Sequence, residues 1–279
     1  MMFLLRWLGR RPLWFLHALG AGMGWLAWWG SARYRRRMRS NAALAGVSPA
    51  ELRASVPQAG RMIAELPRLW LRPPTMPMAD PLRWDGDDWL AGLLQADRGL
   101  LLLTPHLGSF EVAAQAYAER FGARWPMTAL YRPAENPFVR RLEETARARP
   151  GLLTAPASVA GVRQLLRALK AGQTVGMLPD QVPPKGMGVW APFFGQSAYT
   201  MTLAVRLARQ SGAALAVLWC ERLPRGRGYV LHAQPLAHPP ADDADELAAA
   251  TAVNASMEAV IRQCPTQYLW GYFRYKGPK

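Results

Sequence analysis

The segment that decides the fold class is Gly99–Pro105 (GLLLLTP), and it runs directly into His106–Glu111 (HLGSFE). A short, continuous apolar run is typical of a strand buried on both faces, as the strands of parallel sheets are. From residue 99 to residue 263 the sequence alternates such runs with amphipathic segments. This alternation predicts an α/β fold in which helices flank a mostly parallel or mixed central sheet.

The apolar periodicity sets the bounds expected for each element. Strands are predicted over Gly99–Pro105, Trp125–Tyr131, Thr174–Leu178, Ala213–Leu223 and Gly228–Ala237. Helices are predicted over Ser109–Phe121, Asn136–Ala148, Ser158–Ala171, Tyr199–Gln210 and Asp242–Gln263. Residues 40–95 predict helical segments broken at Pro57, at Pro67 and in the loop Pro73–Pro77.

The chain is strongly basic, and the excess charge is concentrated near its beginning. It has 279 residues, with 34 Lys and Arg against 19 Asp and Glu, a net charge of +15. Residues 1–75 hold twelve arginines, no lysine and two acids, a net charge of +10. This balance favours an anionic partner: nucleic acid, a membrane surface or a phosphorylated substrate. A hydrophobic content of 51% excludes a disordered chain, and two cysteines exclude a disulfide framework.

A tryptophan-rich apolar run, Leu13–Trp29, lies between basic residues. These are Arg6, Arg10 and Arg11 before it, and Arg33, Arg35, Arg36, Arg37 and Arg39 after it. This arrangement predicts a helix anchored at an anionic membrane, either spanning it or lying in its plane. A buried helix of the following domain is the alternative. We expect a membrane-anchoring segment over residues 1–40 and one large domain over 41–279. The positive-inside rule leaves that domain in the cytoplasm. No nucleic-acid-binding motif follows the basic cluster.

His106 is the histidine best placed for chemistry. It follows the apolar strand, and Ser109 is a plausible N-cap that puts Glu111 in the first turn of a helix. From there Glu111 is expected to reach back and fix the tautomer of the imidazole, as the acid that orients a base. A satisfied core histidine is the alternative. His17, His232 and His238 are expected to have structural or surface roles.

Further polar residues follow two other predicted strands. Arg132 and Asn136 come after Trp125–Tyr131, and Asp180 and Gln181 come after Thr174–Leu178. Ligands of open α/β sheets gather beyond the carboxyl ends of the strands, so these residues are expected near His106. The sequence has no GxSxG, HExxH, P-loop or dinucleotide fingerprint, and no Cys/His cluster that would indicate a metal site.

These motifs together resemble one family. The set comprises His106 and Glu111, Tyr131-Arg132-Pro133 with Asn136-Pro137, Pro179-Asp180-Gln181, Ala191–Gly195, Thr200, Ser211–Ala213 and Gln267–Lys276. It is similar to the lysophospholipid acyltransferase superfamily, with its glycerol-3-phosphate acyltransferase-like fold. Within that superfamily it most resembles the lipid A biosynthesis lauroyl/myristoyl acyltransferases of Gram-negative bacteria. The resemblance covers nearly the whole chain, including the N-terminal helix.

The resemblance implies an O-acyltransferase of lipopolysaccharide biosynthesis at the bacterial inner membrane, with its catalytic domain on the cytoplasmic side. It implies an acyl-acyl-carrier-protein or acyl-CoA donor, a lipid A precursor as acceptor, and no cofactor. His106 is then the general base and Glu111 its partner. Arg132, or backbone N–H groups near Gly108, would bind the oxyanion. Substrate binding is expected of Arg132, Asn136, Asp180 and Gln181.

Three alternatives stay open at this point. The acceptor is another lipid, such as a lysophospholipid, glycolipid or aminolipid. The protein is a non-catalytic lipid-binding relative, against which the intact His106/Glu111 pair weighs. The protein is a hydrolase, because water can replace the lipid acceptor.

Overall fold

A seven-stranded sheet forms the centre of the molecule, in a computed structural model that describes residues 2–131, 134 and 136–278. The described residues form nine strands: β1 (Leu82–Asp85), β2 (Leu100–Leu103), β3 (Met127–Tyr131), β4 (Leu152–Pro156), β5 (Thr174–Met177), β6 (Gly188–Phe193), β7 (Gln196–Met201), β8 (Ala214–Arg222) and β9 (Tyr229–Gln234). Seven of them form the central sheet in the order β1-β9-β8-β2-β5-β3-β4, and β6 and β7 form a separate pair. Strands β2, β3, β4, β5 and β8 are parallel, whereas β9 runs antiparallel to β8. The predicted fold class is therefore confirmed.

Helices cover the sheet and precede it. They are α1 (Met2–Gly9), α2 (Leu13–Gly30), α3 (Ala32–Leu44), α4 (Pro49–Trp70), α5 (Asp87–Gln95), α6 (Phe110–Phe121), α7 (Pro137–Arg147), α8 (Val159–Lys170), α9 (Leu203–Ser211) and α10 (Glu246–Gln263). Most of the elements predicted after residue 99 lie within a few residues of their expected bounds.

Strand β2 lies at the centre of the sheet and contributes side chains to both hydrophobic cores. Each of its four leucines is buried. Because side chains alternate along a strand, Leu101 and Leu103 enter the core that contains residues of α8, α9 and α10. Leu100 and Leu102 enter the core that contains residues of α5 and α6. The continuous apolar run thus reflects a strand covered on both faces.

The helix breaks predicted at Pro57 and Pro67 were wrong, whereas the loop predicted at Pro73–Pro77 is present. Helix α4 is continuous through Pro57 and Pro67, because its contact with α2 holds it along its length despite the lost backbone donors. Residues 40–95 also contain β1, which pairs with β9 at the edge of the sheet.

The predicted helix Tyr199–Gln210 begins too early. Residues up to Met201 belong to β7, which pairs antiparallel with β6, and the helix starts at Leu203. Phe194 and Gly195 form the turn of this hairpin, both with positive φ. Strand β4 is a further element that the periodicity did not indicate, because its residues alternate between buried and exposed only in part.

Helix α2 packs lengthwise on α4 through small residues. A Cβ added to Gly60 would lie 1.9 Å from the carbonyl oxygen of Gly20, so the two backbones touch at this crossing. The opposite face of α2 is exposed: Trp14 has 59% of its surface accessible, Leu26 68% and Trp29 67%. Within the described residues, no helix combines the length and the apolar character that crossing a membrane requires.

Candidate active site

His106 and Asp180 meet because the strands before them are neighbours in register. Leu103 of β2 pairs with Met177 of β5, and each candidate residue follows its strand three positions later. The amide of Thr104 donates to the carbonyl of Met177 at 3.0 Å, which keeps the two chain segments side by side as they leave the sheet. The structure thus brings both residues to the carboxyl edge of the sheet.

Asp180 holds His106 at two points. Its Oδ1 lies 2.7 Å from Nδ1 of the imidazole, and its Oδ2 accepts the backbone N–H of His106 at 2.9 Å. Burial alone would raise the pKa of Asp180, but the charge on His106, the hydrogen bonds from His106 and the charge of Arg274 lower it. The carboxylate is therefore ionised at neutral pH, and it favours the imidazole tautomer that carries its proton on Nδ1.

The other ring nitrogen of His106 lies at a cavity. Nε2 of His106 is 3.0 Å from the amide nitrogen of Gln181, and both residues line this space. With the ring proton on Nδ1, Nε2 is an acceptor and the Gln181 amide donates to it. Phe110 packs edge-on against the imidazole, with 5.0 Å between ring centroids. A bound hydroxyl that replaced the amide would meet a lone pair already aimed at it.

The predicted pairing of His106 with Glu111 is not what the structure has. Glu111 accepts a hydrogen bond from Arg147 at 2.9 Å, and its second oxygen accepts the indole N–H of Trp70 at 3.3 Å. Asp180 already occupies both the ring Nδ1 and the backbone N–H of His106, which are the positions a carboxylate partner would take. Glu111 lines the same cavity as His106, but its carboxylate binds Arg147.

Arg147 ends α7 and was not singled out by sequence reasoning. Its guanidinium lies over the ring of Tyr131, 5.3 Å from the centroid, and donates to Glu111. Its other terminal nitrogen is buried and has no hydrogen-bond partner among the described residues. An unpaired buried N–H group is costly, so this nitrogen has an unused donor.

The cavity that these residues share has a volume of about 360 Å³. Its polar lining is concentrated in His106, Glu111, Arg147 and Gln181. The remaining walls are mostly apolar: Ala114, Ala129, Leu130, Val162, Leu178, Val182, Pro183, Pro184, Met187, Met201 and Leu203. An apolar chamber with an imidazole and a guanidinium in its lining suits an apolar ligand that has a polar end.

The other predicted site residues have different outcomes. Arg132 lies outside the described residues. Asn136 is the N-cap of α7, where its side-chain oxygen accepts the amides of Phe138 and Val139. The backbone amides considered for the oxyanion are already used, because Gly108 donates to the carbonyl of Gln267 and Ser109 to that of Cys220.

A buried ionic network supports the loop that carries His106. Glu65 of α4 is paired with Arg222 of β8, each only a few per cent exposed. Glu65 also accepts the hydroxyl of Ser109 at 2.7 Å, and Arg222 donates to the carbonyl of Gly108 at 3.1 Å. Nε2 of His17, from α2, lies 3.3 Å from the same carboxylate. The helical N-terminal region is thus bonded to the turn between His106 and α6.

The cysteines have the surroundings of unreactive thiols. Burial, followed by the charge of Glu65, raises the pKa of Cys220, and burial raises that of Cys264 to about 11. Neither is a thiolate near neutral pH. His232 stacks on Trp219 and contacts Asp85, consistent with a structural role. No group of His, Cys, Asp and Glu within the described ranges has the geometry of a metal site.

Comparison of the sequence with known proteins places this chain in a family. Residues 1–277 match the family model described as bacterial lipid A biosynthesis acyltransferase. The chain is 30% identical to the lipid A biosynthesis lauroyltransferase of Escherichia coli (strain K12), over 98% of this chain and 91% of that protein. It is also 30% identical to the lipid A biosynthesis palmitoleoyltransferase of the same organism, over 69% of this chain and 60% of that protein. A lipid A biosynthesis acyltransferase of Shigella flexneri matches to the same extent.

Proposed function

Because the chain belongs to the bacterial lipid A biosynthesis acyltransferases, we propose that it transfers a fatty acyl chain from a thioester to a hydroxyl group of a lipid A precursor. The observation that carries the chemistry is the pair of His106 and Asp180 at the edge of an apolar cavity. An acyltransferase needs a base for a weak alcohol nucleophile and a chamber for a long apolar chain, and this site supplies both.

His106 acts as the general base in this mechanism. The acceptor hydroxyl displaces the Gln181 amide from Nε2, gives its proton to that nitrogen and attacks the thioester carbonyl as the new C–O bond forms. Asp180 stabilises the imidazolium that results, since it already accepts the Nδ1 proton. When the tetrahedral intermediate collapses, the C–S bond breaks and the imidazolium returns the proton to the departing thiolate. No acyl-enzyme is needed, in keeping with the two unreactive cysteines.

Arg147 is the donor best placed to stabilise the oxyanion. Arg147 lines the same cavity as His106, and Glu111 holds one terminal nitrogen of its guanidinium, while the other terminal nitrogen has no partner among the described residues. A charged donor fixed in advance lowers the barrier because it need not reorganise as negative charge develops on the carbonyl oxygen. Glu111 is in this view a positioning residue, which acts through Arg147. Gln181 marks the place of the acceptor hydroxyl.

The donor in this proposal is an acyl-acyl-carrier-protein, with acyl-CoA as the alternative. The net charge of +15 supports either, because the acyl carrier is acidic and coenzyme A carries phosphates. The apolar walls of the 360 Å³ cavity would receive the acyl chain.

The outward face of α1 and α2 supports attachment to a membrane surface, for which we propose the cytoplasmic side of the inner membrane. Exposed aromatic and aliphatic side chains are concentrated there: Phe3, Leu4, Trp7, Trp14, Leu19, Met23, Leu26 and Trp29. Arginines flank this face on both sides in the sequence, as expected for contact with anionic lipid. Residues 1–40 would thus form the attachment segment and residues 41–279 the acyltransferase domain.

The test is mass spectrometry of lipid A from an acyltransferase-deficient host that expresses wild type or His106→Ala. The proposal expects one added acyl mass with wild type and none with the variant, when both proteins are present in the membrane fraction. An added mass with both would overturn the role of His106. An added mass on a phospholipid, aminolipid or other glycolipid, with lipid A unchanged, would overturn the acceptor but keep the acyl transfer. Release of free fatty acid without any acylated lipid would make the protein a hydrolase.

A further inference from the structure

A second cavity, about 480 Å³ in volume, lies between the end of α1, the end of α4 and the loop that leads to β1. Four arginines line it: Arg6, Arg10, Arg68 and Arg72. Asp80 is the one acidic residue among its described lining residues. Asp80 pairs with Arg68 and Glu119 pairs with Arg72, which leaves two of the four guanidinium groups without a described counter-charge and gives the concave space a positive potential.

The two arginines on α4 and just beyond it are fixed by other residues. Arg68 donates to Asp80 at 2.6 Å and to the carbonyl of Arg11 at 3.0 Å. Arg72 donates to Glu119 at 2.6 Å and to Gln115 at 2.9 Å, yet its Nε is buried and has no partner within the described residues. Arg72, which lines the cavity, therefore has one guanidinium N–H without a described partner, on a side chain that its other hydrogen bonds hold in place.

The other two arginines, Arg6 and Arg10, have no described side-chain partner. Neither Arg6 nor Arg10 has a side-chain hydrogen bond or an ion pair with any described residue, and both are exposed. They lie beside Phe3 and Trp7, whose side chains are 83% and 40% exposed. The open side of the cavity is thus next to the apolar face that we assign to the membrane.

The cavity is also connected to the catalytic site through one face of α6. Arg72 contacts Gln115 and Glu119, while Trp70, two residues earlier, donates to Glu111 at the catalytic cavity. Glu111 and Glu119 are eight residues apart, which is about 12 Å along a helix axis. The two cavities are therefore linked through side chains on one face of α6.

We propose that this cavity binds a phosphate group of the membrane lipid that accepts the acyl chain. Phosphate monoesters carry close to two negative charges, and the planar guanidinium fork matches their oxygens in pairs. Apolar residues around the arginines, among them Leu69, Met76 and Met78, suit an amphiphile better than a free ion. The inference rests on the proposed function, because it assigns the phosphate to the acceptor of that reaction.

A docking site for an acidic protein fits these observations less well. Protein partners usually bury about 800 Å² on each side, over a surface with a broad contact area. Here the two fixed arginines line a concave space between helices rather than projecting from a flat face. A phosphate reaches such a space more easily than a protein surface does.

The experiment measures vesicle binding by the full-length protein and by two charge-matched double variants. Arg6→Gln/Arg10→Gln removes from the cavity the two arginines without a described partner. Arg33→Gln/Arg36→Gln removes two exposed arginines of α3 that also have no described side-chain partner. The probes are phosphatidylcholine vesicles that contain phosphatidic acid, vesicles with phosphatidylglycerol at equal negative charge, and inorganic phosphate as a soluble competitor.

The proposal expects wild type to prefer the phosphatidic acid vesicles. It expects Arg6→Gln/Arg10→Gln to lose about tenfold in affinity for them and to lose the preference over phosphatidylglycerol, whereas the α3 variant loses affinity for both kinds of vesicle alike and keeps the preference. The same preference in both variants would overturn the site and leave only general attraction to an anionic surface. Tight binding of inorganic phosphate without a preference for phosphatidic acid would assign the cavity to a free ion. If Arg6→Gln/Arg10→Gln weakened the binding of acyl-carrier protein and left vesicle binding intact, the cavity would be assigned to a protein partner.

The same proteins separate this inference from the proposed function. A wild type that shows the expected vesicle preference but transfers no acyl chain would keep the phosphate site and overturn the acyltransferase proposal. Acyl transfer with no difference between the two variants, in vesicle affinity or in KM for the acceptor, would keep the activity and overturn the phosphate site.

Discussion

The carboxylate of Asp180 accepts both the backbone N–H and the ring Nδ1–H of His106, at 2.9 Å and 2.7 Å. The two residues are 74 positions apart in the chain. They meet because β2 and β5 end at the same level of a parallel ladder. A carboxylate that binds the main chain and the ring of one histidine fixes the position of the ring and its tautomer together.

Substitution Asp180→Asn tests this relationship. An amide cannot stabilise the imidazolium, and it can donate to Nδ1, which favours the wrong tautomer. We expect kcat to fall by roughly 10²–10⁴-fold with little change in KM, since the acceptor binds on the other side of the ring. Steady-state kinetics with an acyl thioester and a lipid acceptor provide the measurement. The control is Asp243→Asn, an exposed carboxylate near the start of α10. A loss confined to KM would show that Asp180 serves acceptor binding instead.

The pair of Glu111 and Arg147 is tested by a double-mutant cycle. If Glu111 acts through Arg147, Glu111→Gln lowers kcat by about 10²-fold in wild type and by much less in the Arg147→Gln background. Arg147→Gln alone is expected to lower kcat by roughly 10²–10³-fold, because it removes the charged donor that we propose for the oxyanion. Glu144→Gln, an exposed glutamate of α7, is the matched control. Additive effects of the two substitutions would show that Glu111 acts independently of Arg147.

These two pairs also show how far sequence reasoning reached. His106 and Asp180 were both identified, because residues that follow buried parallel strands converge at one sheet edge. Their partnership was missed, since it depends on β2 and β5 being neighbours in register, which strand composition does not determine. The pattern His-x4-Glu suggested a pair that is close in sequence, whereas the actual partner comes from another strand.

Sequence reasoning missed the features that leave no pattern in the neighbouring residues. Arg147 ends an amphipathic helix, as many surface arginines do, and only the tertiary structure shows its buried unpaired nitrogen. Pro57 and Pro67 predicted breaks in α4, because the packing of that helix against α2 is not visible in a local window. The fold class, in contrast, follows from the alternation of buried strands and amphipathic helices, a signal that each segment contains.

The buried pair of Glu65 and Arg222 makes stability depend on acid pH. Burial alone would raise the pKa of Glu65, but the charge of Arg222 and hydrogen bonds from His17, Arg222 and Ser109 lower it from 4.5 to about 2. A pKa that is lower in the folded state gives stability that is complete above the unfolded value, near 4.5, and is lost as the pH falls toward 2. The expected contribution is about 3 kcal/mol.

The measurement is the free energy of unfolding in denaturant between about pH 6 and pH 3, with wild type and Glu65→Gln compared. We expect the variant to be less stable at neutral pH, because Arg222 stays buried without its counter-charge, and to lose less stability on acidification. Glu144→Gln, at an exposed position of α7, should keep most of the wild-type acid dependence. Parallel pH curves for wild type and Glu65→Gln would contradict the assignment.

The crossing of α2 and α4 at Gly20 and Gly60 gives a further prediction with an internal control. A Cβ on residue 60 would meet the carbonyl oxygen of Gly20 at 1.9 Å, so Gly60→Ala must push the two helices apart. We expect a loss of about 1–3 kcal/mol in the free energy of unfolding, the usual cost of overpacking a rigid contact. Tryptophan fluorescence during chemical denaturation follows the transition.

Gly22 lies on the same helix as Gly20 but faces open space, with no atom within 4 Å of an added Cβ. Gly22→Ala is therefore expected to leave stability unchanged or to raise it by roughly 0.5–1 kcal/mol through better helix propensity. Because His17 lies one turn before Gly20 and contacts Glu65, separation of the helices in Gly60→Ala should also loosen the support of the turn at Ser109. Activity should then fall in Gly60→Ala and not in Gly22→Ala. Equal stability and activity in the two variants would show that the close crossing supports neither the fold nor the catalytic loop.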